Sequence, residues 1–167
     1  GPMLQRVYGT AFFDKKELAT STGAIGWDRL VLAVGARTNY FGLASVERHG
    51  FGLKDLDEAV DARNQILRSF ELALAEPDPD ERRAHLTFVV VGGGPTGVES
   101  AGALSELVRL ALARDFPELE IKDVRVILLE ATHALLGAMP EKLREATART
   151  LWSKHVEVRF GAQVVEY

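Results

Sequence analysis

The sequence predicts an α/β fold, in which a parallel sheet with flanking helices forms the larger part and a small β-meander precedes it. Apolar, β-branched runs occur at Leu86–Val91, Val124–Leu129 and Val156–Phe160, and the segments between them carry apolar residues at helical spacing. Strands that alternate with helices form parallel sheets with right-handed crossovers. The residues before position 36 are instead rich in β-formers and turn residues, which predicts the meander.

Composition limits the class of protein. The chain has 167 residues, 47% of them apolar and 26% charged, as in ordinary globular proteins. Acidic and basic residues are interleaved and leave a net charge of −4, so no nucleic-acid-binding face is predicted. The absence of cysteine excludes disulfides and thiol redox pairs within these residues. No apolar run has membrane-spanning length, and we expect a cytoplasmic protein whose Gly1-Pro2 is the scar of a cleaved tag.

The first 35 residues predict the meander and one central strand. Arg6–Phe13 and Glu17–Thr20 are β-rich and are separated by a polar turn, which favours a hairpin. Leu30–Val34 predicts a buried strand that ends at Gly35. Because open α/β sheets bind ligands at the carboxyl ends of their strands, Gly35 is a candidate cofactor contact. A glycine that merely ends a strand explains the pattern equally well.

A long helix is predicted in the middle of the chain. Thr38–Gly52 shows no clear period, but apolar residues then recur at helical spacing behind a group of acidic residues. We therefore predict an amphipathic helix over Asp55–Glu76, stopped by Pro77-Asp78-Pro79-Asp80. Its apolar stripe is typical of core packing rather than of a groove for a partner.

A glycine-rich turn follows the strand Leu86–Val91, which is predicted to be buried on both faces. Gly92 allows a tight turn, Gly94 lets a pyrophosphate approach the backbone, and Gly97 lets the next helix lie close to the strand. The N–H groups and the positive end of that helix would face the phosphates. A Rossmann-like dinucleotide site is thus predicted in preference to a structural glycine turn, formed by Gly92, Gly93, Gly94, Pro95, Thr96 and Gly97.

The later elements continue the alternation of helices and strands. A helix is predicted from the glycine turn to about Arg114, and a strand at Val124–Leu129 ends at Glu130. The next predictions are a helix over Glu141–His155 with Pro140 in its first turn, a strand at Val156–Phe160, and the start of a further strand at Gln163–Tyr167.

Two acidic residues are candidates for cofactor recognition. Glu130, at the end of a strand, is placed to accept hydrogen bonds from the adenosine ribose, and it would repel a 2′-phosphate, so NADH should be preferred over NADPH. The alternative is a solvated acid at a strand end. Glu99 falls in the first turn of the phosphate-facing helix, where either the helix dipole stabilises it or it points toward the nicotinamide.

Other chemistries receive no support from the sequence. His49, His85, His133 and His155 are scattered without metal-ligand spacing, so no metal site is predicted, and each histidine is expected at the surface or in a cap. The chain lacks a Gly-x-Ser-x-Gly elbow and a Gly-Lys-Ser/Thr phosphate loop, which argues against hydrolases and nucleoside triphosphatases.

Two stretches together resemble type II NADH dehydrogenases, which are NADH:quinone oxidoreductases within the two-dinucleotide-fold flavoproteins. They are LVLAVGARTNYFG (30–42) and FVVVGGGPTGVESAG (88–102), and the resemblance spans most of Val7–Tyr167. In that family an NADH domain interrupts a flavin domain of similar fold. The resemblance implies that residues 4–42 are a remnant of the flavin domain, 43–85 a connector and long helix, and 86–167 an incomplete NADH-binding portion.

The resemblance also implies the site. The glycine turn and Glu130 would bind NADH, and Glu99 matches a family acid that lies near the nicotinamide and the flavin. FAD would belong to the parent protein, quinone would be its further substrate, and the parent would be peripheral on the inner face of the cell membrane.

Several family features are not found in this sequence, including the flavin fingerprint, the quinone-pocket residues and the membrane-binding segment. We therefore expect an internal piece of such an enzyme, inactive alone and without bound FAD. The strands Arg6–Val34 are expected to fill the place of missing NADH-domain strands, within one chain or swapped in a homodimer.

Two alternatives from other classes stay open. A dimeric, non-catalytic dinucleotide-binding or sensing module would explain the missing flavin fingerprint without truncation. A reductase that delivers electrons to ferredoxin or a disulfide is the other, although the resemblance of the Thr38–Gly42 connector favours quinone reduction.

Overall fold

The computed structural model describes residues 9–31, 33, 35 and 37–167, which divide into two units. The first unit ends at Arg37 and the second begins at Thr38. The predicted α/β fold is confirmed: the first unit contains an antiparallel sheet, and the second contains a parallel sheet flanked by helices.

The first unit is the predicted meander. Its strands β1 (Gly9–Phe12), β2 (Glu17–Thr20) and β3 (Gly23–Gly26) form an antiparallel sheet in that order. A short 3₁₀ turn over Phe13–Lys15 joins β1 to β2. The hydroxyl of Thr20 donates to the carbonyl of Gly23 (2.6 Å) across the second turn. The predicted hairpin is confirmed, and the part of its first strand before Gly9 lies outside the described residues.

The second unit opens with helices α1 (Ala44–His49), α2 (Leu56–Ala75) and α3 (Pro79–His85). The predicted long helix is confirmed as α2, and the Asp55 carboxylate caps it by accepting the Glu58 N–H (2.9 Å). The pattern does not predict α1 and α3, because six or seven residues are too few to show a helical period. Asp78 and Pro79, which stop α2, also begin α3 as its cap and first residue.

A parallel sheet follows, with strands β4 (Thr87–Val91), β5 (Arg125–Glu130) and β6 (Val156–Phe160) in the order β4-β5-β6. Helix α4 (Pro95–Leu107) leads from β4 toward β5 and continues through a π-helical turn over Val108–Leu112 into α5 (Ala113–Asp115). Helix α6 (Glu141–Ser153) connects β5 to β6. These strands and helices match the predicted β-α-β-α-β order.

Two apolar clusters form the core of the second unit. The first lies between the sheet and helices α4 and α6, and it contains Ala101, Val126, Leu128, Leu135, Leu151 and Val156. The second surrounds Phe70 of α2, which is fully buried and whose ring lies 5.9 Å from that of Phe88. Phe70 therefore packs in the core as predicted, but Leu56, Leu67 and Leu74 of the same predicted stripe are exposed, so core packing is confirmed only for part of the stripe.

The prediction that the first parallel strand is buried on both faces is wrong. Val89 and Val91 of β4 are 52% and 57% exposed, whereas Leu128 of β5 is fully buried. Two successive right-handed crossovers that proceed in one direction across a sheet place both helices on the same face. Because α4 and α6 cover that face, the Val89–Val91 side of the strand stays open.

The predicted strand over Leu30–Val34 is wrong where the structure describes it. Leu30, Val31 and Ala33 adopt no strand, and Val31 is 85% exposed; Leu32 and Val34 lie outside the described residues. An apolar strand of this kind needs neighbours for its backbone hydrogen bonds and cover on both faces. The hypothesis was that this segment completes the parallel sheet, within one chain or by exchange between two chains. No strand forms at the described positions, so they do not support it.

The strand predicted to begin at Gln163–Tyr167 is also absent, because this segment forms other contacts within the second unit. The N–H of Ala162 donates to the carbonyl of Glu130 (3.1 Å), and that of Tyr167 donates to the Ser45 hydroxyl (3.1 Å). The Tyr167 ring stacks on His49 at a centroid distance of 5.1 Å. Among the described residues, none of the helices combines the length and apolarity needed to span a bilayer.

Candidate dinucleotide site

The glycine turn lies between β4 and α4, at the carboxyl end of the sheet. Gly92 has φ +102°, a backbone conformation that side chains strongly disfavour, and its N–H donates to the carbonyl of Leu129 (2.8 Å). Gly94 precedes α4 as its extended N-cap residue. The chain thus turns from strand to helix over three residues, as the spacing of the glycines predicts.

Gly97 permits the close return of the helix onto this turn. A Cβ built on Gly97 would overlap the carbonyl oxygen of Gly92, and it would lie 3.7 Å from Leu128 of β5. Ala101, one turn later, is fully buried. Any larger residue at position 97 would push the first turn of α4 away from the glycine turn and the sheet.

Three backbone N–H groups are available for an anion at this helix end. Those of Gly94, Thr96 and Gly97 have no hydrogen-bond acceptor among the described residues, and Pro95 has no N–H. We call these three groups the amide cluster. The first N–H groups of a helix have no partner within it and sit at its positive end, so the cluster suits a phosphate.

Gly93 is used differently from its neighbours. Its N–H donates to Oε2 of Glu130 (2.6 Å), and its carbonyl accepts the N–H of Leu136 (2.8 Å). Gly93 is buried, and a Cβ there would come within 2.7 Å of Leu135 and 2.8 Å of the Glu130 carboxylate. Both polar backbone groups of Gly93 are therefore engaged within the chain, and a direct contact of its N–H with a cofactor stays a prediction.

Glu130 is the last residue of β5, and the structure brings its carboxylate against the glycine turn. Oε2 accepts the Gly93 N–H, and Oε1 accepts the N–H of Thr132 (2.7 Å). Partial burial acts to raise the pKa of Glu130, but its contacts with Thr132 and the hydrogen bond from the Gly93 N–H outweigh burial and lower the pKa below its usual value. The ionised carboxylate keeps further lone pairs for hydroxyl donors.

The loop after Glu130 completes this edge of the sheet. Leu135 is buried in the core beside Gly93, and the N–H of Gly161, after β6, donates to the carbonyl of Thr132 (3.0 Å). No sequence pattern predicted that Thr132, Leu135 and Leu136 take part in the site. Leu135 and Leu136 are adjacent apolar residues in an otherwise small and polar loop, and this feature could have indicated that the loop packs against the core.

Glu99 is separate from this arrangement. It is the fifth residue of α4, beyond the first turn in which a helix dipole acts most strongly, so the predicted placement in the first turn is wrong. Its exposed side chain lines a groove of about 590 Å³ between α4 and α6, together with Met139 and Leu143. The described residues offer its carboxylate no hydrogen bond or ion pair.

The remaining candidates are placed as follows. Gly35 belongs to the first unit and has φ +71°, and Ala36 beside it lies outside the described residues. His155 follows Lys154, the C-cap of α6; it has a left-handed conformation (φ 59°), and its N–H donates to the carbonyl of Trp152. Within the described part of the chain, no group of three or more histidine or acidic side chains is arranged to hold a metal ion.

Comparison with known proteins places these features in a family. The family model for pyridine nucleotide-disulphide oxidoreductases matches residues 3–167. The chain is 40% identical to the type II NADH:quinone oxidoreductase Ndh of Mycobacterium tuberculosis, over 90% of this chain and 32% of that protein. It is 38% identical to external NADH-ubiquinone oxidoreductase 2 of Saccharomyces cerevisiae mitochondria, over 86% of this chain and 27% of that protein.

A solved structure has the same fold. The NDH2 of Plasmodium falciparum, solved in complex with NADH, superposes with a TM-score of 0.79 at 23% identity, over 96% of this chain and 34% of that one. The chain therefore spans about a third of the length of the proteins that it matches.

Substitution of the two central glycines should have unequal effects on stability, large for Gly93 and small for Gly94. Gly93→Ala is expected to lower the free energy of unfolding by about 1–3 kcal/mol, because its Cβ must displace the buried Leu135 side chain or the Glu130 carboxylate. Gly94→Ala is the matched control, since a Cβ there meets no atom within 4 Å and the backbone is in an ordinary extended conformation. Its effect should stay within about 0.5 kcal/mol. Urea unfolding measures both, and equal losses would contradict the described packing of Gly93.

Proposed function

The chain belongs to the pyridine nucleotide-disulphide oxidoreductase family, and on that premise we propose that it is the NADH-binding portion of a flavin-dependent NADH dehydrogenase. The whole protein would pass hydride from NADH to FAD and electrons on to a quinone; the names of its relatives give NADH and a quinone as the substrates of those proteins. Since a quinone is apolar and partitions into bilayers, we propose that the whole protein acts at the inner face of the cell membrane.

The contact between Glu130 and the glycine turn carries this proposal. It brings an ionised carboxylate to within 2.6 Å of the turn that leads into the amide cluster. Hydroxyl donors of an adenosine ribose suit the open lone pairs of the carboxylate, and a pyrophosphate suits the amide cluster one residue further. The two groups are neighbours in the cofactor, as the two sites are in the folded structure.

We propose that the flavin binds at a second site, separate from the glycine turn. The described residues contain a single strand–glycine turn–helix unit, and the proposal assigns that unit to NADH. Bound flavin accepts hydride from a nicotinamide. Hydride transfer is therefore proposed for the whole protein, with this chain holding the nicotinamide cofactor.

We also propose that Glu99 acts toward the nicotinamide end rather than on the phosphates. Its position beyond the first turn and its unpaired carboxylate among the described residues support this role. Glu99→Gln should leave the NADH affinity of this chain within about threefold, because a charge outside the first turn contributes little at the helix end. Calorimetric titration measures the affinity, and a loss of tenfold or more would place Glu99 at the phosphates instead.

Cofactor preference tests the proposed role of Glu130. In calorimetric titrations NADH should bind at least about tenfold more tightly than NADPH, because the carboxylate accepts ribose hydroxyls and repels a 2′-phosphate. Glu130→Gln should reduce that ratio toward one. Glu157→Gln is the matched control. It also removes one negative charge, that of a carboxylate in contact with Arg125 and Arg159, and it should leave the ratio of NADH to NADPH affinity unchanged. Binding of neither nucleotide to the unmodified chain would contradict the proposal.

An activity assay tests the expectation that this chain alone does not oxidise NADH. The purified chain is expected to show no flavin absorbance and no oxidation of NADH, because hydride transfer needs an acceptor that its single dinucleotide unit does not provide. Absorption spectroscopy and an NADH-consumption assay with a soluble quinone check this. A yellow, active preparation would overturn it.

A further inference from the structure

The two hydrogen bonds of the Glu130 carboxylate exist without any cofactor. We propose that Glu130 is a positioning residue as well as a ribose acceptor: it holds the Gly93 peptide, and through it the amide cluster, in place before a ligand arrives. This inference rests on the proposed function for the identity of the ligand, but the hydrogen bonds themselves do not depend on it.

The planar peptide group between Gly92 and Gly93 transmits the position of Glu130 to α4. In a trans peptide the C=O and the N–H that share one plane point in opposite directions. The N–H of Gly93 points to Glu130 (2.6 Å), so the Gly92 carbonyl must point the other way. It does so toward Gly97, where a Cβ would overlap its oxygen. Glu130 thereby sets the surface on which the first turn of α4 rests.

The following peptide group, between Gly93 and Gly94, is also held. The carbonyl of Gly93 accepts the Leu136 N–H (2.8 Å), so the Gly94 N–H in the same plane points away from the loop. That N–H is the first member of the amide cluster. With both of its ends held, the Gly93 residue can rotate little, and the direction of the Gly94 N–H is set without a ligand.

Glu130 is itself held. Its Oε1 accepts the Thr132 N–H, and its carbonyl accepts the Ala162 N–H (3.1 Å) at the end of β6. The loop that follows is anchored by Leu135, which is 1% exposed. The carboxylate is therefore a fixed support tied to β5 and β6, and not a flexible side chain that happens to meet the turn.

Glutamine at position 130 separates the two roles. A carboxylate accepts at both oxygens, whereas an amide has one accepting oxygen and one donating NH₂ group. In Glu130→Gln, either the Gly93 N–H or the Thr132 N–H must therefore face a donor. The volume of the side chain stays the same, so packing around Leu135 is preserved.

Amide hydrogen exchange of the cofactor-free chain, followed by NMR, tests the positioning role directly. In Glu130→Gln the Gly93 amide should exchange about tenfold faster or more, because even a glutamine oxygen that faces it is no longer a charged acceptor, and the Thr132 amide should also exchange faster. The Arg125 N–H, which donates to the Leu86 carbonyl at the other end of the sheet, is the internal control and should not change. An equal rise at all three amides, or none, would overturn the proposal.

Inorganic pyrophosphate, which has no ribose, provides the second test. Removing a negative charge near the site would by itself tighten pyrophosphate binding. Positioning predicts the opposite, with Glu130→Gln binding pyrophosphate at least about threefold more weakly, while Glu157→Gln, the matched loss of charge, does not weaken it. Equal or tighter binding by Glu130→Gln would overturn the positioning role. No pyrophosphate or NADH binding by the unmodified chain would contradict the proposed function, and the exchange of Gly93 would still decide the positioning role.

Discussion

The hydrogen bond from the Gly93 N–H to the Glu130 carboxylate (2.6 Å) is the constraint on which the candidate site depends. It joins two segments that are far apart in the chain but end at the same edge of the sheet. Because peptide groups are planar, this one bond also directs the Gly92 carbonyl toward α4. Three glycines then have distinct roles. Gly92 adopts a positive φ, Gly93 leaves room for the Glu130 carboxylate and Leu135, and Gly97 leaves room for the Gly92 carbonyl.

The parallel order of β4 and β5 makes this bond possible. Val91 pairs with Leu129, so the residues that follow each strand emerge side by side. Glu130 is ionised at neutral pH, as an ordinary glutamate is, and its hydrogen bonds lower its pKa further although partial burial acts to raise it. The arrangement therefore places a fixed negative charge beside a helix end that favours a negative ligand, and the two recognise different parts of one molecule.

The sequence was informative where local physics dominates. Strand β6 agrees with its prediction in both bounds, and α2 agrees within one residue, because apolar period, an Asp cap and proline act over a few neighbouring residues. Helices α1 and α3 were missed since they are too short to show a period. Leu30–Val34 shows the opposite failure: an apolar, β-branched run predicts a strand, but a strand also needs hydrogen-bonding neighbours, which no local pattern can supply.

The sequence by itself determined the alternation of strands and helices, the position of the glycine turn and the acid that follows the second parallel strand. Each of these follows from backbone sterics or from the period of apolar residues along a short stretch. Only the tertiary structure decided that Gly93 donates to Glu130, that Thr132 and Leu136 take part, and that one face of β4 stays open. These features depend on which strands become neighbours and on which face the helices cover, and both are properties of the assembled sheet.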